Sequence, residues 1–320
     1  MNKVKLFSNS LVLEVYLIGY PSQGESVVFF LKADGKVSYT GVVDCFKHQS
    51  INKTLEILQK EGVSRIDFLC WTHPHEDHSL DIDRLLQLYC DNNTKIWLTD
   101  IYPDELETCG FSKSSILMYS SIKKKIGALN SNIKFAKDNT ILDRLRFEGR
   151  EAYLVEIESF APNSTIIAER KERQQKEEGN PYSIGLSIFA GRFNVMLCGD
   201  VENPTIERFE DIYFETPVDY IKIPHHGSPT SDMLPNKLRS FGIKAPSVAT
   251  STVYNRHNLP EDAVLKEYQK WGTSEIYISS NPKCMENEDY YGIILTTIDV
   301  LEQKEYPIET MLLGNAYCYS

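Results

Sequence analysis

The run His73-Pro74-His75-Glu76-Asp77-His78, directly behind the almost wholly apolar stretch 66–71, decides how this chain reads. Two imidazoles spaced by two on extended backbone point to the same side, so His73 and His75 can grip one cation. Asp77 and His78, at the turn that follows, can reach a second. Nitrogen donors with one carboxylate suit zinc and accept manganese or iron. Histidine is only 7 of 320 residues, too scarce for H-x-H-x-D-H to be expected by accident.

The other histidines point the same way. Six of the seven fall in three places: this cluster, the pair His225-His226 before Gly227-Ser228, and His257. His48 alone stands apart. Each later group follows a predicted strand, where layered α/β folds set their sites. Between them the apolar run Leu197-Cys198 ends in Gly199-Asp200. An aspartate there can bridge two metals and hold them ~3.5–4 Å apart.

Working outward, β-rich runs are predicted at 12–20, 26–32 and 37–43, punctuated by Pro-Ser-Gln-Gly and Ala-Asp-Gly-Lys turns. Helix-like spacing over 51–61 stops at Gly62, and 80–88 reads as a second helix. The segment 103–129 looks helical and polar. The charge run 169–179 reads as an exposed loop or surface helix. Strands at 183–190 and 193–197 form a hairpin about Gly191-Arg192. Helices at 233–241 and 261–271 then alternate with strands at 220–223, 247–250, 275–279 and 292–300. No repeat or linker interrupts the pattern, so residues 1–320 read as a single α/β domain.

Composition narrows the field. Hydrophobic residues make up 42% and charged residues 25%, as in ordinary globular proteins. No apolar run reaches the ~18 residues of a membrane span, and the apolar segment 11–20 reads as a first strand, not a signal peptide. Seven cysteines, an odd number without C-x-x-C spacing, suit reduced thiols and a cytoplasmic location. A net charge of −11 argues against gripping nucleic acid over a broad basic surface, though a few phosphates can still be held through metal ions. Lys123-Lys124-Lys125, the compact basic run, reads as a solvated helix face or a phosphate contact.

The series Asp44, H-x-H-x-D-H, Gly199-Asp200 and Pro224-His225-His226-Gly227-Ser228 resembles the metallo-β-lactamase superfamily. More narrowly it is similar to the hydrolase domain of the competence protein ComEC and its stand-alone relatives, through residues 180–183, the Gly-Asp, the His-His-Gly-Ser, and Asn255-Arg256-His257 near a proline. The resemblance covers residues ~12–298 and implies an αββα four-layer sandwich with metals at one edge of two sheets. Carried over residue by residue, it implies His73 and His75 on one ion, Asp77 and His78 on the other, and Asp200 as the bridge. It makes His226 the further ligand and His225 a substrate or outer contact, an order that can also be read the other way. Asp44 matches an aspartate that orients a ligand loop. Many members carry a further histidine before the bridge; this chain has none between 79 and 224, which implies a first metal with fewer protein ligands.

A metal-dependent hydrolase follows, using two divalent ions, zinc or manganese, to bring the pKa of water to roughly 7. Asp77 is the expected orienter of that nucleophile, with His225 and His257 as groups that stabilise charge or protonate the leaving group. His257 also reads as a surface-loop residue. Glu202 reads either as a partner of water or substrate, or as a helix-start carboxylate beside Pro204. A phosphodiester, DNA or RNA included, is the first expected substrate. Hydrolysis of a small ester or lactone, and a non-catalytic binding protein on the same fold, are the alternatives. The sequence names no partner protein.

Overall fold

The structure, a computed structural model, describes residues 4–101, 106, 113–129, 132–173, 180–210, 216–280 and 290–320. Along the first half run β1 (Val4–Leu6), β2 (Leu11–Gly19), β3 (Glu25–Ala33), β4 (Lys36–Val43), α1 (Lys53–Lys60), β5 (Phe68–Trp71), α2 (Glu76–Ser79), α3 (Ile82–Tyr89), β6 (Lys95–Thr99), α4 (Lys113–Ala128) and β7 (Asn132–Ala136). There follow β8 (Thr140–Glu148), β9 (Ala152–Ala161), α5 (Ser164–Arg173), β10 (Gly185–Ala190), β11 (Phe193–Leu197), α6 (Asn203–Glu207) and β12 (Tyr220–Lys222). The chain then forms α7 (Leu234–Ser240), β13 (Val248–Ser251), α8 (Asp262–Trp271), β14 (Glu275–Ile278), β15 (Gly292–Asp299), β16 (Ile308–Gly314) and β17 (Tyr317–Cys318).

The strands make two sheets. One has the order β16-β15-β2-β3-β4-β5-β6-β7, the other β1-β8-β9-β10-β11-β12-β13-β14-β17. Both are mixed: β4 through β7 run parallel, as do β11 through β14, while in the second sheet the edge strand β1 adds parallel to β8 and β17 antiparallel to β14. Alternation in the sequence sorts side chains between layers. Val27, Phe29 and Leu31 of β3 meet Leu186, Ile188 and Val195 of the other sheet in an inner core, while Val28 and Phe30 face outward. Leu69 and Trp71 of β5 pack outward with Leu58, Leu85 and Tyr119 of α1, α3 and α4. On the opposite outer face, Met196, Ile221 and Ala249 pack with Leu238, Leu265 and Tyr268 of α7 and α8. The result is helix, sheet, sheet, helix: the four-layer αββα sandwich.

Helix α1 shows how local chemistry sets an element. The side chain of Asn52 caps it by accepting from the Leu55 N–H at 3.0 Å, and Gly62, at φ +67°, lets the chain leave it. The predicted strands of the N-terminal meander and the 193–197 hairpin arm match within one residue. Of the helix expected over 103–129, residues 113–128 are helical; 102–105 and 107–112 lie outside the described residues. Of the charge run, Glu169 to Arg173 close α5, and 174–179 lie outside as well. The basic run on α4 is a solvated face, with Lys125 paired to Asp83 at 2.9 Å. The sequence reading passes over β7 to β9. There charged residues such as Arg144, Arg146, Glu156 and Glu158 alternate with core residues Leu145, Phe147, Val155 and Ile157, an exposed-face pattern that lacks a strong apolar run.

The parallel halves bring the ends of β4, β5, β11, β12 and β13 to one rim, where open parallel sheets offer loops to ligands. Phe29 sits fully buried between the sheets over Gly41, whose absent side chain leaves room for its ring. Phe29→Ala is expected to cost about 3–5 kcal/mol in urea unfolding. A loss below about 1 kcal/mol would contradict its place in the inner layer.

Candidate metal centre

The loop after β5 is shaped by its own side chains. The Trp71 indole donates to Ser79 Oγ at 2.9 Å, and that hydroxyl donates to the His75 carbonyl at 2.5 Å, closing the turn that carries α2. Asp44, at the end of β4 with φ +58°, accepts from the Thr72 N–H at 2.7 Å and the Thr72 hydroxyl at 2.6 Å. Its carboxylate also lies 2.7 Å from His78 Nδ1. The orienting role implied for Asp44 thus has a direct geometric counterpart.

From the second sheet, the chain leaves β11 through Cys198 to Gly199 with φ +50°; a side chain there would lie 2.7 Å from the Ile184 carbonyl, so only glycine fits. Asp200 follows, its N–H donating to Ser183 Oγ at 2.8 Å. Beyond β12, His225 and His226 both take left-handed backbone, φ +47° and +52°, ahead of Gly227. Strain of this kind is found where a site overrides local preference.

These loops meet around Asp200. One group comprises Asp77, His78, Asp200 and His226, the other His73, His75 and Asp200, each with ligand-type atoms within 4.8 Å of one another. The two oxygens of Asp200 divide between them. Oδ1 is 3.3 Å from His78 Nε2 and 3.8 Å from His226 Nε2, while Oδ2 is 3.5 Å from His73 Nε2. His226 Nε2 also meets Asp77 at 3.1 Å, and His73 Nε2 lies 3.0 Å from His75 Nδ1.

The donor set fits divalent cations. His78, His226 and His73 each engage the protein through Nδ1, with Asp44, Thr252 and Thr72 respectively, and turn Nε2 inward. That is how metal-ligating imidazoles are held by their surroundings. His78 Nε2 and Asp200 Oδ1 are buried and, despite their proximity, close no hydrogen bond among the described residues. Orphaned buried donors and acceptors are costly unless an ion completes them. The His73 group offers three residues and the Asp77 group four.

With protein groups alone, electrostatics binds protons where cations belong. Burial pushes the Asp200 carboxyl up, but His78, His226 and His225 outweigh it and hold it well below the usual carboxylate range. Burial works against charge on His78, yet Asp200, Asp77 and Asp44 raise it well above an ordinary histidine. Burial and neighbouring His73 push His75 down to about 3, so it stands neutral and ready to donate its lone pair.

The remaining residues take distinct places. His225 Nδ1 lies 3.1 Å from Glu202, and its Nε2 is 3.9 Å from Asp200 Oδ2. Glu202 also accepts from the Asn180 N–H at 2.7 Å and the Thr230 hydroxyl at 2.8 Å. It sits at the N-cap of α6 but makes no side-chain cap bond, so it serves His225 and not the helix. His257 is exposed and set back: its ring stacks on Tyr254, which in turn stacks on His226. His48, expected to stand apart, lies 3.3 Å from Ser22 Oγ; the carbonyl of Ser22 accepts from the Asn255 N–H, so His48 borders the same rim.

Sequence reasoning missed a buried charge network beneath the ligands. Lys222, 1% exposed, donates to the Gly199 carbonyl at 2.8 Å and pairs with Glu25 at 2.7 Å. Glu25 accepts from Thr252 at 2.6 Å, and Thr252 meets His226 Nδ1 at 2.7 Å. A lysine inside the apolar strand Tyr220-Ile221-Lys222-Ile223 was the available signal; Glu25, in a turn-rich stretch, gave none.

Two mixed sheets face to face, helices on both outer faces, and ligands from both sheets meeting at one rim together decide the architecture. This is the metallo-β-lactamase fold. No protein-family model matches the chain. The uncharacterized protein YcaI of Escherichia coli K12 is 32% identical over 97 residues, which is 30% of this chain and 13% of that protein. Solved structures of this fold are similar to the chain at low identity. The metallo-β-lactamase fold protein YhfI from Bacillus subtilis is 12% identical with a TM-score of 0.45, covering 83% of this chain and 96% of its own. Tm1679, a metal-dependent hydrolase of the β-lactamase superfamily, is 12% identical with a TM-score of 0.43, covering 83% and 95%.

Lys222→Met strands Glu25 and is expected to destabilise the fold by about 3–5 kcal/mol, with Lys222→Met/Glu25→Gln recovering much of the loss. Equal stability of both variants in chemical denaturation would remove the pair from this role. Cation loading must displace the proton on His78, which its carboxylate neighbours hold well above the ordinary histidine range, so apparent metal affinity is expected to rise as pH climbs through and beyond that range, with proton release on binding. Calorimetry in buffers of different ionisation enthalpy reads that release; its absence contradicts the site.

Proposed function

We propose that the chain is a metal-dependent hydrolase of phosphodiesters. The observation that carries this reading is the Asp200 carboxylate, shared between two buried ligand groups whose inward nitrogens are turned toward one another. When bound, a pair of divalent cations, zinc or manganese, supplies Lewis-acid polarisation and hydroxide at neutral pH. His73, His75 and Asp200 would hold one; Asp77, His78, Asp200 and His226 would hold the other.

The chain's own residues do the rest. Asp77, hydrogen-bonded to His226, orients the attacking water with its carboxylate. His225, fixed through Nδ1 by Glu202, keeps Nε2 toward the reacting centre, where a proton can pass to the departing oxygen. Asp44 and Thr252 keep the ligand rings from turning. The similarity of the sequence motifs to the ComEC-like hydrolase domain supports a phosphodiester over a lactone or simple ester. The intact ligand set weighs against a non-catalytic scaffold.

The test is turnover of single-stranded DNA, double-stranded DNA, RNA, bis-p-nitrophenyl phosphate and lactones, each with Mn²⁺, Zn²⁺ and Mg²⁺. Phosphodiester cleavage with manganese or zinc is expected. Asp77→Ala and His75→Ala are each expected to abolish it while far-UV circular dichroism stays unchanged. Undiminished activity in either variant sinks the assignment, and turnover of lactones alone replaces the substrate class.

A further inference from the structure

We propose that the rim beside the ligands is a stacking platform for unpaired nucleobases, built from two runs of aromatic rings. The inference rests on the phosphodiesterase reading and narrows its substrate to a nucleotide chain with bases free to stack. The first run starts on a ligand. Tyr254 lies over His226 at 5.5 Å between centroids and 19° between planes, and His257 lies over Tyr254 at 5.0 Å and 23°. His226 is buried, Tyr254 half-buried and His257 exposed, so the run climbs from the ligand groups to solvent. The second run rises from buried Tyr20 to His48 at 6.1 Å and 23°, then to Tyr290 at 6.0 Å and 15°. Tyr290 is 49% exposed.

The two runs are fastened together. Ser22 accepts from the Asn255 N–H at 2.9 Å through its carbonyl and lies 3.3 Å from His48 Nδ1 through its hydroxyl. The loop bearing Tyr254 and His257 is held by paired bonds between Tyr254 and Leu259, and by the Glu261 N–H donating to the Gly227 carbonyl. Its rings are therefore set relative to the His225-His226 turn before any substrate arrives. Exposed, near-parallel ring faces suit planar π-systems, and every base offers one. Bases of a duplex are already stacked on each other and cannot reach such a ledge. With a net charge of −11 the chain has little to gain from long backbone tracking, so base stacking beside the reacting phosphate is the affordable grip. Exposed Arg256 adds a cation on the same loop.

The test uses a single-stranded oligonucleotide carrying 2-aminopurine, whose fluorescence falls on stacking, titrated with the whole 320-residue chain without added metal. Quenching is expected. His257→Ala and Tyr290→Ala should each weaken binding roughly tenfold, with a matching rise in KM for cleavage by the metal-loaded enzyme and little change in kcat. His257→Phe, which keeps a ring but carries no exchangeable proton, should restore binding and KM. An abasic strand of equal length, or a duplex, should compete poorly. Equal competition by the abasic strand, or unchanged binding in both alanine variants, overturns the platform. Cleavage of bis-p-nitrophenyl phosphate without any quenching overturns it too and leaves the phosphodiesterase reading standing. Quenching without cleavage of any phosphodiester supports the platform and removes that reading.

Discussion

The whole rim turns on where one carboxylate can be put. Asp200 is buried, with ligand nitrogens on both of its oxygens and a lysine 4.0 Å away. A buried charge of this kind survives only when opposite charges and hydrogen bonds surround it. The glycine before it makes the approach possible, since any side chain at 199 would collide with the Ile184 carbonyl just ahead of β10. The Ser183 hydroxyl and the Lys222 ammonium then fix the Gly199-Asp200 turn from both sides.

From that fixed point the rest of the centre is a matter of aiming rings. Each inward imidazole is steered from behind by a different partner: a carboxylate from the first sheet, a threonine after β13, a threonine after β5. These partners come from both sheets, so the relative placement of the sheets is registered directly in the geometry of the ligands. The left-handed backbone at His225 and His226 fits the same view. Strain there lets two successive side chains face one site from different angles, one ring among the ligands and the other held against Glu202.

Charge is arranged unevenly. The protein is acidic overall, yet its buried centre gathers three imidazoles (His73, His78, His226), the lysine Lys222 and four carboxylates (Glu25, Asp44, Asp77, Asp200). The outer rim carries aromatic rings in place of a basic surface.

Residues close in sequence were legible from sequence alone. H-x-H-x-D-H announces a cluster because imidazoles two apart on extended backbone share a side, as His73 and His75 do. Gly-Asp behind an apolar strand, and His-His before Gly-Ser, announce loops at strand ends. The layered α/β architecture was readable from the same alternation. Tertiary structure alone decided which nitrogen of which histidine faces inward, and it separated the paired histidines into His226 beside Asp77, His78 and Asp200 and His225 against Glu202. It also decided that His257 sits behind Tyr254, and that Glu25 and Lys222 lie beneath the centre. The physical reason is distance along the chain. Glu25 and Thr252 are 227 residues apart yet hydrogen-bonded, and periodicity carries no information about which strand ends a sandwich brings face to face.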